Sequence, residues 1–283
     1  MATTLLSNLA PVEAVLERPH GLLEAPRFGR QGEAVYSDVI AGGVWGCSPS
    51  GVVREILTRR RGVGGIVAHS DGGWVISGRN VVHLLGDGGQ REVLSGEQVC
   101  GYNDLGAAPD GALLAGVLRY RPFAGDDPRP GALLRVNADA SVEILTEEVI
   151  WPNGIGVSPD GHTIYLSDYA RRAVLAVPAQ GGETREFCAS PRGSADGLAL
   201  DVDGAVWVAL GEGGGIARFW PDGELDAVMD LPASFVSSLS FGGGDMRDVL
   251  ITTADNDLHP ELGGTLLRAR SQLAGLEIAA VVV

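Results

Sequence analysis

The 283-residue sequence predicts an all-β protein, a six-bladed β-propeller, on three observations. Glycine supplies 42 residues, roughly twice the usual ~7%, and it falls in turns rather than in a low-complexity tract. A unit of about 40 to 50 residues recurs, which is the period of propeller blades. Within each unit four short apolar strand types repeat, while helix-period patterning is weak throughout.

Taken in order, five of the units open on one position eight residues before a turn glycine, and it carries Glu, Gly, Asn, Asn and Asp. Glu24 precedes Gly32, Gly64 precedes Gly72, Asn103 precedes Gly111, Asn153 precedes Gly161, and Asp196 precedes Gly204. A short first strand follows, as in Gly65–Ala68, Gly154–Val157 and Gly197–Leu200, and an Asp-Gly type of turn closes it. The second strands are Ala34–Ser37, Trp74–Ser77, Leu113–Ala115, Thr163–Leu166, Val206–Ala209 and Val249–Thr252. The third are Gly43–Trp45, Val81–Leu84, Ala132–Arg135, Ala173–Ala176, Ile216–Phe219 and Thr265–Arg268. Fourth strands follow in only five units: Val53–Leu57, Arg91–Leu94, Val142–Leu145, Thr184–Phe187 and Leu225–Met229. The missing sixth matches Val12–Glu17, ahead of the first unit. An N-terminal strand in the last blade would close the ring and leave only short edges exposed. No linker divides the sequence, so residues 1–283 are expected to form one propeller domain.

Hydrophobic content of 45% gives ample core, and the formal charge of −15 argues against nucleic acid or an anionic membrane as partner. Cys47, Cys100 and Cys188 are too few and too scattered for a disulfide framework or a zinc site, and they read as free thiols. The N-terminus lacks a signal-peptide pattern, and no apolar run approaches a membrane span, the tail Ile278–Val283 included. A cytoplasmic protein acting on a small molecule is the expectation, with no obligate protein partner inferred.

Equivalent first-strand starts in a propeller converge on the central channel. Glu24, Asn103, Asn153 and Asp196 would therefore meet there, two carboxylates and two amide carbonyls. Such hard oxygen donors suit Ca²⁺, Mg²⁺ or Mn²⁺, and carboxylates can also bind Zn²⁺. Asx-Gly and Asx-Asp pairs also make turns at blade entrances, which accounts for any one of these residues. Four in identical register, two of them charged, argue for a bound cation.

Leu23-Glu24-Ala25-Pro26, Tyr102-Asn103-Asp104, Pro152-Asn153-Gly154 and Ala195-Asp196-Gly197 resemble the signatures of the senescence marker protein / gluconolactonase / luciferin-regenerating enzyme family. The resemblance runs roughly from Gly21 to Leu267. It implies a six-bladed propeller with one divalent cation that hydrolyses lactones or related esters. By motif match it implies Glu24, Asn153 and Asp196 as metal ligands, Asn103 beside the metal touching substrate or water, and Asp196 as the general base. The family commonly shows Gly-Glu-Gly-Pro at the first motif, where Ala25 stands here. It often has an Arg two positions before the Asn, where this chain has Gly101, and an acidic residue expected near Arg119 and Tyr120 is missing. With Leu23, Phe28, Tyr102, Leu105 and Trp151 near the motifs, a substrate less polar than an aldonolactone is expected. Tyr102, Trp151 and Tyr120 join Asn103 as candidate substrate contacts, and the insertion Tyr120–Pro130 is a candidate binding loop. The alternatives are a metal-stabilised binding propeller without chemistry, or a metal-dependent hydrolase or isomerase of another electrophile such as an epoxide or phosphotriester.

Other residues read as structural. His69 follows the first strand of the second unit and His259 sits in a loop, Gly211–Gly215 joins two strands and leads into no helix, and Ser237-Ser238 lacks a partner histidine.

Overall fold

The computed structural model describes residues 12–16, 20–254 and 263–283, and His259 lies outside that set. Among them, six four-stranded antiparallel sheets form a ring of blades. The innermost strands are β2 (Leu23–Phe28), β6 (Ile66–Ala68), β10 (Gly101–Ala107), β14 (Pro152–Val157), β18 (Leu198–Leu200) and β22 (Val236–Gly242). Each contacts the inner strand of the next blade, and β22 returns to β2.

The closing strand is where the sequence places it. β1 (Glu13–Ala14) pairs antiparallel with β24 (Leu266–Arg270), Glu13 opposite Arg268 and Ala14 opposite Leu267. Gly211–Gly215 turns between β19 (Val206–Ala209) and β20 (Gly215–Phe219) as a hairpin.

The inner strands depart from the sequence reading in one respect. Three of them start earlier and take in the polar position, with the irregularity inside the strand. In blade one Glu24 pairs with Ser37 and Arg27 with Val35, so Ala25 and Pro26 share a single partner position. In blade three Asn103 and Asp104 fall between the Tyr102–Val117 and Leu105–Ala115 pairs, and in blade four Asn153 and Gly154 do the same. These are β-bulges, which turn a side chain away from its alternation and are common beside functional sites.

A ring of hydrogen bonds between blades runs around this end of the channel. Asn103 Nδ2 donates to Pro152 O at 2.9 Å, Gly154 N to Asp196 O at 3.2 Å, and Gly197 N to Ser237 O at 2.8 Å. Ser237 Oγ donates to Leu23 O and Ser37 Oγ to Val63 O, both at 2.6 Å. Gly78 and Tyr102 exchange backbone bonds between blades two and three and complete the circle. Ser237 is thus occupied in holding blade six to blade one.

At the other end the C-terminal residues cross the ring. Leu276 N donates to Leu200 O on blade five, and Val281 N to Ala68 O on blade two, directly opposite. Cavities of ≈ 330 and ≈ 480 Å³ flank this strap, and both are lined by Ile278 and Ala279. His69 is buried there, stacked on His83 at 3.8 Å, with Nδ1 accepting Asp71 N–H.

Candidate metal centre and substrate wall

Glu24, Asn153 and Asp196 are buried at the channel mouth, 8, 6 and 2% exposed. Asn103 joins them and its amide orientation is set: Nδ2 is spent on Pro152 O, leaving Oδ1 as the available acceptor. Oδ1 lies against Gly64, where a Cβ would collide with it. The one register position without a side chain therefore makes room for its neighbour's amide. Ala25 holds φ of 51°, left-handed backbone in a non-glycine residue, where the family motif has glycine. That strain sits directly after Glu24, whose Oε2 accepts Ala25 N–H at 3.3 Å.

The electrostatics are those of crowded carboxylates. Burial, then the neighbouring Asp104, pushes the Glu24 carboxyl up, against the pull of Ala25 N–H and Arg27. Asp196 is raised well above the usual range by burial first, then by Glu24, Asp104 and Glu212, with only the Asn153 amide opposing. Asp104, mainly through burial, is pushed up to about 6 despite Arg27. Asp196 Oδ1 is buried without any hydrogen-bond partner.

Among the described residues no three carboxylate, imidazole or thiolate side chains gather as a metal cage by themselves. A cation here would need the two amide oxygens as well. The donor set fits one: hard oxygens, an orphaned carboxylate oxygen, and mutual repulsion that a cation removes.

Tyr169, whose hydroxyl feels the charge of Asp196, belongs to an aromatic wall. Trp151 is half-buried, with Tyr169 at 4.6 Å, Phe123 edge-on at 5.7 Å and Tyr120 edge-on at 6.4 Å between ring centroids. Asp168 fixes Trp151 by accepting its N–H and that of Ile150. Phe123 belongs to a single 3₁₀ turn, Pro122–Ala124, so the insertion reaches this wall. Tyr169 O–H donates to Glu212, which also accepts from Ser194 and Arg172.

The structure does not bring every candidate to the site. Tyr102 is 2% exposed and packs in a core cluster with Val81 and Leu105, and Leu23 and Leu105 are fully buried. Phe28 lies against Gly242 and borders the far-end cavity. The apolar character inferred from Tyr102, Leu23 and Leu105 is core, Phe28 belongs to the far end, and Trp151 alone of the five joins the aromatic wall. Missed from the sequence were Arg27 and Asp104, which sit within or next to the quoted motifs, and Tyr169 and Glu212, which carried no signal.

Comparison with known proteins places the sequence and the fold. Residues 22–255 match the family model described as SMP-30/Gluconolactonase/LRE-like region. A 6-deoxy-6-sulfogluconolactonase of Pseudomonas putida is 28% identical over 93% of this chain and 96% of its own. A pentonolactonase of Haloferax volcanii is 32% identical over 55% of this chain and 54% of its own. In fold, a structure described as a calcium-binding regucalcin of Agrobacterium tumefaciens superposes with a TM-score of 0.85 at 22% identity, covering 97 and 98% of the two chains.

Proposed function

Because the chain belongs to the SMP-30/gluconolactonase/LRE-like family, we propose that it hydrolyses a lactone or related cyclic ester using one divalent cation. The observation that carries this is the convergence of Glu24, Asn103, Asn153 and Asp196 on one channel mouth with Asp196 Oδ1 unsatisfied. The lactonase names of two relatives support the substrate class.

Glu24, Asn153 and Asp196 would hold the cation, Ca²⁺ being the ion of first choice. When bound it supplies Lewis-acid polarisation of the ester carbonyl. Asp196, buried at the mouth, takes a proton from the attacking water as its oxygen bonds to the carbonyl carbon. Asn103 Oδ1, fixed by the Nδ2 bond to Pro152, orients that water. The ring C–O bond then breaks, and the proton passes from Asp196 to the leaving alkoxide, giving the hydroxy acid. Chelation is expected to abolish turnover and a divalent ion to restore it. Full activity in a verified metal-free protein overturns the scheme. Asn103→Ala should lower kcat about a hundredfold while leaving the melting temperature nearly unchanged.

The substrate is less polar than an aldonolactone. Gly101 offers no donor, and Arg119 is turned to Glu147. The Trp151–Tyr169–Phe123 wall offers apolar surface, whose burial contributes ~25 cal/mol per Å². Alkyl- or aryl-substituted lactones should show higher kcat/KM than ring-matched aldonolactones, measured on one metal-loaded preparation. A tenfold preference for gluconolactone would reverse this assignment.

A further inference from the structure

Arg27 is an unusual guest in the channel. It lies on β2 three residues after Glu24, past the bulge, and its side chain is only 12% exposed. Nη1 donates to Pro26 O at 2.8 Å and Nη2 more weakly to Leu105 O at 3.4 Å. Among the described residues its ion-pair partner is Asp104, with Nη2 to Oδ1 at 4.0 Å. Nε is buried and has no partner at all. A guanidinium this poorly bonded persists only in a negative field, since stripping it of water is unfavourable. That field comes from Asp104 first and Glu24 second, and Asp196 in turn interacts with both of them. Three carboxylates and one guanidinium leave a formal charge of −2, the mirror of one divalent cation.

We propose that Arg27 is a built-in counter-cation, a positioning residue that neutralises Asp104 so that the channel mouth takes one divalent ion and holds it with moderate affinity. The inference rests on the metal-dependent reading above and adds a residue to it. Asp104 is hydrogen-bonded by Leu105 N at 2.7 Å, directly after Asn103, so it cannot withdraw from the cluster. With Arg27 removed, its charge would act on the bound cation without compensation. Arg27 also borders the far-end cavity, so it stands between the mouth and the strap.

The test is calorimetric titration of Ca²⁺ into chelator-stripped full chain, alongside thermal melts. Wild type should bind one ion. Arg27→Met keeps the apolar stem but loses the charge. It should bind Ca²⁺ at least tenfold more tightly or take a second ion, and melt lower than wild type when metal-free. Arg27→Lys should stay within threefold of wild type, and Asp104→Asn in the Arg27→Met background should restore wild-type affinity. Arg27→Met with unchanged affinity and stoichiometry, while wild type binds, overturns the role of Arg27 alone. No binding by wild type overturns the metal reading and this inference with it. Should Arg27→Met fail to fold even with Ca²⁺, Asp104→Asn alone decides. A tenfold weakening supports the charge balance, and unchanged binding overturns it.

Discussion

Gly64 shows how a missing side chain can set a site. It occupies the same register position as Glu24, Asn103, Asn153 and Asp196 yet gives no ligand, and Asn103 Oδ1 fills the space a Cβ would take. Gly64→Ala should push that amide off its position while its Nδ2 anchor on Pro152 resists. A displacement near 1 Å costs about a hundredfold in rate, so kcat/KM should fall by ten- to a hundredfold with a melting shift of about 2 °C or less. Steady-state kinetics beside a thermal melt check this. The donors at this position were legible because a turn glycine eight residues on marks each one. The faces of their neighbours were not. A bulge inserts a residue that period-two alternation does not count, so Tyr102, Leu23 and Leu105 read as site residues although they pack inward. Tyr169 and Glu212 come from the tops of two other strands and have no local pattern to announce them.

At the scale of elements, the strands themselves were readable because four apolar runs recur between turn glycines in every blade. The displaced outer strand was readable because it is the one copy missing from its place. Inner-strand starts were less so, since Asn, Pro and Gly inside a bulge look like a turn ahead of a strand. The seam between first and last blades has its own polar lock at the end of β3 (Ala34–Asp38). Asp38 accepts from Ile40 N and Ala41 N at 3.1 and 2.8 Å and faces His20 at 3.5 Å. His20 in turn bridges Gly264. Burial pushes Asp38 up, but His20 and the backbone N–H groups more than offset this and hold it below the ordinary value. A folded pKa below the unfolded one adds stability above about pH 3.9 that is lost as pH falls through the folded value. Asp38→Asn should therefore cost about 1–2 kcal/mol at pH 7 and progressively less as pH falls below the ordinary carboxylate value, at about pH 3 for instance. Urea melts of both proteins at the two pH values measure it.

For the whole molecule, the ring of hydrogen bonds ties each blade to its immediate neighbours, whereas the C-terminal strap ties blades that never touch. Ser70 N donates to Val281 O on blade two, and Val202 N donates to Ala274 O beside blade five. The strap is thus a chord across a circle. A hoop held only along its rim can flatten into an oval, with opposite points moving outward together. A chord fixes one diameter and suppresses that mode at both of its ends. Truncation after Gln272 should accordingly raise amide deuterium exchange at Ser70 and Val202 in concert, although 132 positions separate them in sequence. Exchange at Ala115 and Leu166 inside blades three and four should change far less. The far end of the propeller then acts as a brace, set across from the mouth where Glu24 and Asp196 must keep their spacing.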